Sequence, residues 1–143
     1  MFDTSVIGGY YDSEFESDTK PLFERIIKGE FEILFSIVTE DELINAPELV
    51  RELLDDIPEN YKEKVNLTEE SIQLADAYIT EDVVGKTSRK DCFHIALATT
   101  HHADILVSWN FKHIVNVMKI RDYNSVNIKY GYTTIDIRSP KEI

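Results

Sequence analysis

Residues 90–114 read K-D-C-F-H-I-A-L-A-T-T-H-H-A-D-I-L-V-S-W-N-F-K-H-I, and this stretch decides the fold. Ser88 stands where a helix cap belongs, and the small and apolar residues after it predict a helix to about residue 102. The run 104–109 that follows is apolar and β-rich, a buried strand, and Asn110 comes directly after it. Upstream, Thr68 begins a helix with Ile72, Ala75 and Ile79 on one face. Downstream, residues 111–120 read as helical and 133–137 as a last strand.

The N-terminal half repeats the alternation. An apolar run over 1–7 ends at Gly8-Gly9, as a strand feeding a turn does. Leu22, Phe23, Ile26 and Ile27 recur at helical spacing across 20–28, and Gly29 is a helix stop. Residues 31–38 predict a buried strand. Thr39 and Glu42 have capping-box spacing for a short helix that Pro47 interrupts. The stripe Leu49, Val50, Leu53, Leu54, Ile57 then runs to Pro58. Strand and helix alternating in this way predict an α/β protein, a three-layer sandwich with a mostly parallel central sheet flanked by helices. No linker or repeat divides it, so residues 1–143 form a single domain.

Composition narrows the function classes. At 143 residues, 43% hydrophobic and 29% charged, the chain suits a globular domain and not a disordered one. The single cysteine, Cys92, has no internal partner for a disulfide. No apolar run reaches membrane-span length, and the first residues lack a signal peptide's basic and apolar regions, so no membrane and a cytoplasmic location are expected. The formal charge of −12 opposes nonspecific binding of polyanions. A nucleic-acid enzyme with this balance needs metal ions, a local basic patch or a partner.

In parallel α/β sheets, function gathers beyond the carboxyl ends of the strands. Asp3 falls near the end of the first predicted strand, Glu42 shortly after the second, Asp91 in the first turn of the helix after Ser88, and Asn110 after the strand ILVSW. Clustered carboxylates repel one another unless a cation lies among them. Mg²⁺ and Mn²⁺ prefer such oxygens, and no Cys or His ligand is required. A bound ion of this kind orients a water, lowers its pKa and neutralises charge on a phosphate. Each residue also has a plainer role: Glu42 and Asp91 favour a helix dipole, and Asp3 suits an exposed turn. Around the second strand, spacing alone leaves Glu40, Asp41 and Glu42 in competition.

The segments FDTSVIGG, FSIVTEDEL, KDCFHIALATTHHADILVSWNFKHI and IDIRSPKEI, in that order, resemble the PIN-domain family. The likeness is to the toxin-like ribonucleases of prokaryotic toxin–antitoxin pairs. Its most specific part is D-x-x-H-I-A-L-A followed by a strand and S-W-N. The resemblance implies a Mg²⁺- or Mn²⁺-dependent endoribonuclease. Its catalytic residues would be Asp3, Glu42, Asp91 and Asn110, with Asp3, Glu42 and Asp91 as metal ligands. Glu42 is selected because the family's glutamate precedes a leucine, here Leu43; Asn110 stands where many relatives carry a fourth aspartate. A homodimer and a cognate antitoxin partner are also implied.

Around this set, Arg89 and Lys90 (with Lys86) and Lys112 (with His113) are the candidates for holding RNA phosphates; the alternative is solvated surface. Trp109 and Phe111 offer either core packing or a stacking face for a base. Thr4 and Ser108 carry hydroxyls for a carboxylate or water, or cap backbone. His94 reads as a structural histidine, or as one that steers a carboxylate or phosphate. His101 and His102 suit the last carbonyls of their helix. Two other functions compete: a non-catalytic PIN-fold interaction module, which the acidic surplus and Asn110 favour, and an aspartate-nucleophile phosphohydrolase. The latter wants a second aspartate two residues after Asp3, where Ser5 stands.

Overall fold

A computed structural model describes residues 1–143 of the chain. It is an α/β protein whose strands pair in parallel. After the extended residues 1–3 come α1 (Thr4–Gly9), α2 (Glu16–Ile27), β1 (Ile33–Ser36), α3 (Ile37–Leu43) and α4 (Glu48–Asp55). Then follow β2 (Lys62–Val65), α5 (Glu69–Thr80), α6 (Arg89–Thr100), β3 (Ile105–Val107), α7 (Val117–Lys129) and β4 (Asp136–Arg138).

The expected single central sheet is not formed. β1 pairs with β2, from Ile33↔Lys62 to Ser36↔Val65, and β3 pairs with β4, from Ile105↔Asp136 to Val107↔Arg138. Residues 1–3 add a third line beside β3 through one bridge, Phe2↔Val107. The Met1 ammonium donates to Ile105 O at 2.8 Å, and Asp3 N donates to Val107 O at 3.2 Å.

The first strand is this short because Asp3 ends it. Its side chain accepts from Ser5 N and caps α1, so residues 4–9 turn helical. Val6 and Ile7 are β-branched, yet both are fully buried on α1, and tertiary packing overrides their propensity. Two further boundaries differ from expectation, and one strand, β2, stands where none was predicted. Ser36, not Thr39, caps α3 and accepts from Thr39 N at 3.1 Å. Residues 111–115 turn rather than coil, because Asn110 Oδ1 takes His113 N; Asn116 then caps α7 through Lys119 N. β2, whose sequence KEKV is polar, has no apolar pattern, and only Val65 is buried in it. Thr68 does cap α5, and α6 does begin after Ser88, although the Ser88 hydroxyl makes no cap bond. Gly29 ends α2 at φ 81°, and any Cβ there would lie 2.5 Å from the Tyr61 ring.

Two apolar clusters lie on opposite sides of the strands. Met1, Leu106 and Ile137 join α5, α6 and α7 in one, with Leu74, Tyr78, Ile95 and Tyr123 at its centre. Phe2, Ile33, Phe35 and Trp109 join α1, α2 and α4 in the other, around Ile7, Phe23 and Leu53. Met1 and Phe2, one residue apart, divide between the two, as the alternation of an extended chain requires. Of the stripe on α4, Val50, Leu53, Leu54 and Ile57 are buried in the protein's own core, and only Leu49 is exposed. No helix is long and apolar enough to cross a membrane.

Candidate functional site

Asp3 and Asn110 follow extended segments, Asp91 lies in the first turn of α6, and Glu42 lies near the end of α3. Asp3 is a buried carboxylate, 4% exposed, and it is fully hydrogen-bonded. Its Oδ1 accepts from Ser5 Oγ at 2.6 Å and Ser5 N at 3.2 Å; its Oδ2 accepts from Ser108 Oγ at 2.7 Å. Ser5 Oγ also accepts from Trp109 N at 2.8 Å, so one hydroxyl joins the first residues to the end of β3. Burial pushes the Asp3 carboxyl up, the charge of Glu42 adds to that, and His94, Ser5 and Ser108 oppose it.

Asp91 sits half-buried in the first turn of α6. Asn110 Nδ2 donates to its Oδ1 at 3.1 Å, while Asn110 N donates to Ser108 Oγ at 2.9 Å. His113 N needs an acceptor and finds Asn110 Oδ1 at 3.0 Å, so the amide orientation is fixed from both ends. Asn110 therefore turns its N–H₂ toward Asp91 and uses its oxygen on backbone. Burial raises Asp91, and the charges of Asp3 and Glu42 push the same way, against His113 and His94.

Glu42 reaches the group through His94. His94 Nε2 lies 3.2 Å from Glu42 Oε1, with the ring almost wholly buried. For Glu42, burial acts upward, but the hydrogen bond and charge of His94, with Lys90 beyond, bring it below the ordinary carboxylate range. Its two rivals are placed elsewhere: Glu40 pairs with Lys64 of β2, and Asp41 is exposed. One chain of contacts thus joins all four residues, from Asp3 through Ser108 and Asn110 to Asp91, then along α6 to His94 and Glu42.

The donor chemistry suits a hard divalent cation. Asp3 and Asp91 are raised by burial and by like charge, the condition of carboxylates short of a positive neighbour. Three buried polar atoms in the same region have no partner: Thr4 Oγ1, His94 Nδ1 and His113 Nδ1. Such atoms in a native protein generally find a ligand or water. As the side chains stand, no three of the His, Cys, Asp or Glu groups converge closely enough to share one ion. Asp3 is held by serines, Asp91 by Asn110 and Glu42 by His94, so a cation must compete with those donors.

The surrounding residues separate clearly. Arg89 is committed to Asp76, with Nε at 3.0 Å and a second contact at 3.4 Å, and it lies over the Phe93 ring. Lys90 and Lys112 are exposed. Trp109 is core: its ring stacks on Phe15 at 4.5 Å and its Nε1 donates to Thr19 Oγ1 at 2.9 Å. Phe111 is the exposed aromatic of the pair. His101 Nδ1 meets Leu97 O at 3.1 Å at the end of α6, as its position suggested. Ser5 is the residue that sequence reasoning passed over in favour of Thr4; the Asp-x-Ser spacing of a helix cap was its signal. Comparison with protein-family models and with curated proteins gives no match.

The amide of Asn110 makes a direct test possible. In Asn110→Asp a second carboxylate oxygen faces Asp91 Oδ1 at about 3 Å, and the pair then shares a proton or a cation. Without metal, the unfolding temperature at neutral pH should fall and recover as the solution is acidified. With Mn²⁺, calorimetric titration should show tighter binding and a larger metal-induced rise in unfolding temperature than the parent. Unchanged affinity would remove position 110 from the metal site.

Proposed function

We propose that this protein is a divalent-metal-dependent endoribonuclease that hydrolyses RNA phosphodiester bonds, the toxin of a toxin–antitoxin pair. It is read as a PIN-like three-layer α/β sandwich acting in the cytoplasm. The single observation that carries this reading is the connected set Asp3, Ser108, Asn110, Asp91, His94 and Glu42, which brings the three carboxylates into one network. The two apolar clusters on opposite sides of the strands support the layered reading.

In this reading Asp3, Glu42 and Asp91 hold Mg²⁺ or Mn²⁺. The ion supplies an oriented, more acidic water and neutralises charge on the phosphate under attack. The chain's own residues do the rest. Ser5 and Ser108 fix the Asp3 carboxylate, and Asn110 fixes Asp91. Lys90 and Lys112 offset, locally, a net charge of −12 that repels RNA. Arg89 contributes to phosphate binding only by leaving Asp76.

The test is incubation of the full chain with a set of end-labelled RNA oligonucleotides, with Mg²⁺ or Mn²⁺ and with chelator. Cleavage that requires the metal supports the reading. Mn²⁺ binding without cleavage of any RNA favours the second reading, a non-catalytic interaction module. The observation behind that alternative is Asn110, which presents a donor to Asp91 where a ligating oxygen would serve.

A homodimer belongs to the same proposal, with Leu49 and Ile44 as the exposed apolar residues beside the buried face of α4. Light scattering at micromolar concentration should give about twice the 16.5 kDa chain mass, and a clean monomer would remove the dimer.

A further inference from the structure

We propose that His94 is a positioning residue, whose buried ring holds one carboxylate oxygen of Glu42 in a fixed place and so leaves the other for the cation. The inference rests on the nuclease reading and names the residue that sets the geometry of one of its ligands.

Glu42 is a long side chain near the end of the seven-residue α3, and the residues that follow it, Ile44 and Asn45, are exposed. Left alone, such a side chain samples several rotamers. Its partner is the opposite kind of group. His94 is 3% exposed, and it stands on α6 among Cys92, Ile95 and Ala96, all fully buried. A ring packed in that way has one orientation, and its Nε2 lies 3.2 Å from Glu42 Oε1. The Thr4 hydroxyl also helps to hold Glu42 below the ordinary carboxylate range, although it completes no hydrogen bond of normal geometry. The hydrogen bonds from His94 and Asn110 end on Glu42 Oε1 and Asp91 Oδ1, one oxygen of each carboxylate.

An ionised carboxylate only accepts, so Nε2 carries the hydrogen. Nδ1 is buried without a partner. The bond gives the buried Nε2–H the partner it needs, and it does so on a carboxylate 52 positions away in sequence. His94 is also three residues after Asp91, so α6 places one ligand directly and steadies another through its imidazole. Partners that orient metal ligands typically change affinity or activity by roughly ten- to a hundredfold when removed.

The experiment uses the full chain and two substitutions. His94→Leu keeps bulk without a donor; His94→Gln keeps a donor near the place of Nε2. Mn²⁺ affinity by calorimetry and kcat and KM on RNA are measured for each. His94→Leu is expected to weaken Mn²⁺ binding and lower kcat by roughly tenfold or more, with KM within about twofold, and His94→Gln to recover most of both. In the ¹⁵N-labelled parent, the Nε2 hydrogen should exchange slowly, and it should lose that protection in Glu42→Ala. A folded Leu variant with the parent's affinity and kcat overturns the proposal, as does equal impairment of the Leu and Gln variants. If the Leu variant does not fold, the Gln variant and the Nε2 signal decide. A parent that binds Mn²⁺ and responds to these substitutions but cuts no RNA defeats the nuclease reading and leaves His94 in its role. A parent that binds no Mn²⁺ defeats both.

Discussion

Asp91→Asn is expected to abolish the proposed metal-dependent RNA cleavage and to leave the chain folded. The change removes one ligand and one negative charge from the proposed cation site, which forfeits several kcal/mol of transition-state stabilisation. A loss of about 4 kcal/mol corresponds to roughly a thousandfold in rate. Folding is spared for two reasons. Asn110 Nδ2 can donate to an amide oxygen at position 91 as it does to the carboxylate at 3.1 Å. Burial also holds the Asp91 carboxyl above its ordinary value, so the folded state binds this proton more readily than the unfolded chain does. That preference adds stability at low pH, and the contribution is lost as pH rises from the ordinary carboxylate value through the raised one. At neutral pH the ionised Asp91 is therefore a cost, and the neutral amide avoids it. The unfolding temperature should be unchanged or higher in chelator, with cleavage gone in Mn²⁺. Cleavage that survives, and that chelator still stops, would move the metal site away from Asp91.

Gly9→Ala has the largest expected effect on stability. A Cβ at this position would lie 2.7 Å from Trp109 Nε1, 2.8 Å from Trp109 Cδ1 and 3.0 Å from Thr19 Oγ1. Alanine in a helix gains about 1 kcal/mol over glycine. Here overpacking costs about 1–3 kcal/mol, and displacing the Trp109 Nε1–Thr19 bond costs about 1 kcal/mol more, so the clash wins. A net loss of about 2 kcal/mol lowers the unfolding temperature by roughly 4–8 °C in a chain of this size. Trp109 fluorescence should shift to the red as the ring leaves Phe15. Activity should fall as well, because Trp109 N donates to the same Ser5 hydroxyl that holds Asp3. An unfolding temperature equal to or above the parent's would mean the ring has room that the present packing does not have.

What could be read from the sequence was what local chemistry decides. Thr68 with Ser71 writes a cap into four residues, and the run Ile105, Leu106, Val107 is apolar enough to mark a strand by itself. Asp3 and Asp91 stand beside such local signals, whereas spacing left Glu42 in competition with Glu40 and Asp41 and only the family resemblance selected it. What could not be read depends on distant partners. Residues 4–9 look like strand until Asp3 is seen to cap them and Val6 and Ile7 to pack inward. β2 exists through its pairing with β1 and has little apolar content of its own. Asn110 and Asn116 compete to start the last long helix, and only the turn closed by His113 N shows which one does. The contacts that complete the site are likewise long-range: Ser5 meets Trp109 across 104 positions, and His94, for which the sequence left a structural and a steering role open, meets Glu42 across 52.

The placement of Asp3 has a consequence for the growing chain on the ribosome. This carboxylate is made well before Ser108, the donor to its Oδ2, which follows 105 positions later. The strand that shields it, β3, leaves the exit tunnel only slightly earlier and in turn pairs with residues 136–138. At translation rates of about 5–20 residues per second, Asp3 spends several seconds hydrated, ordinary in acidity and unconnected to Asp91. A nascent chain thus carries Asp3 unpartnered until Ser108 and Asn110 arrive to connect it with Asp91.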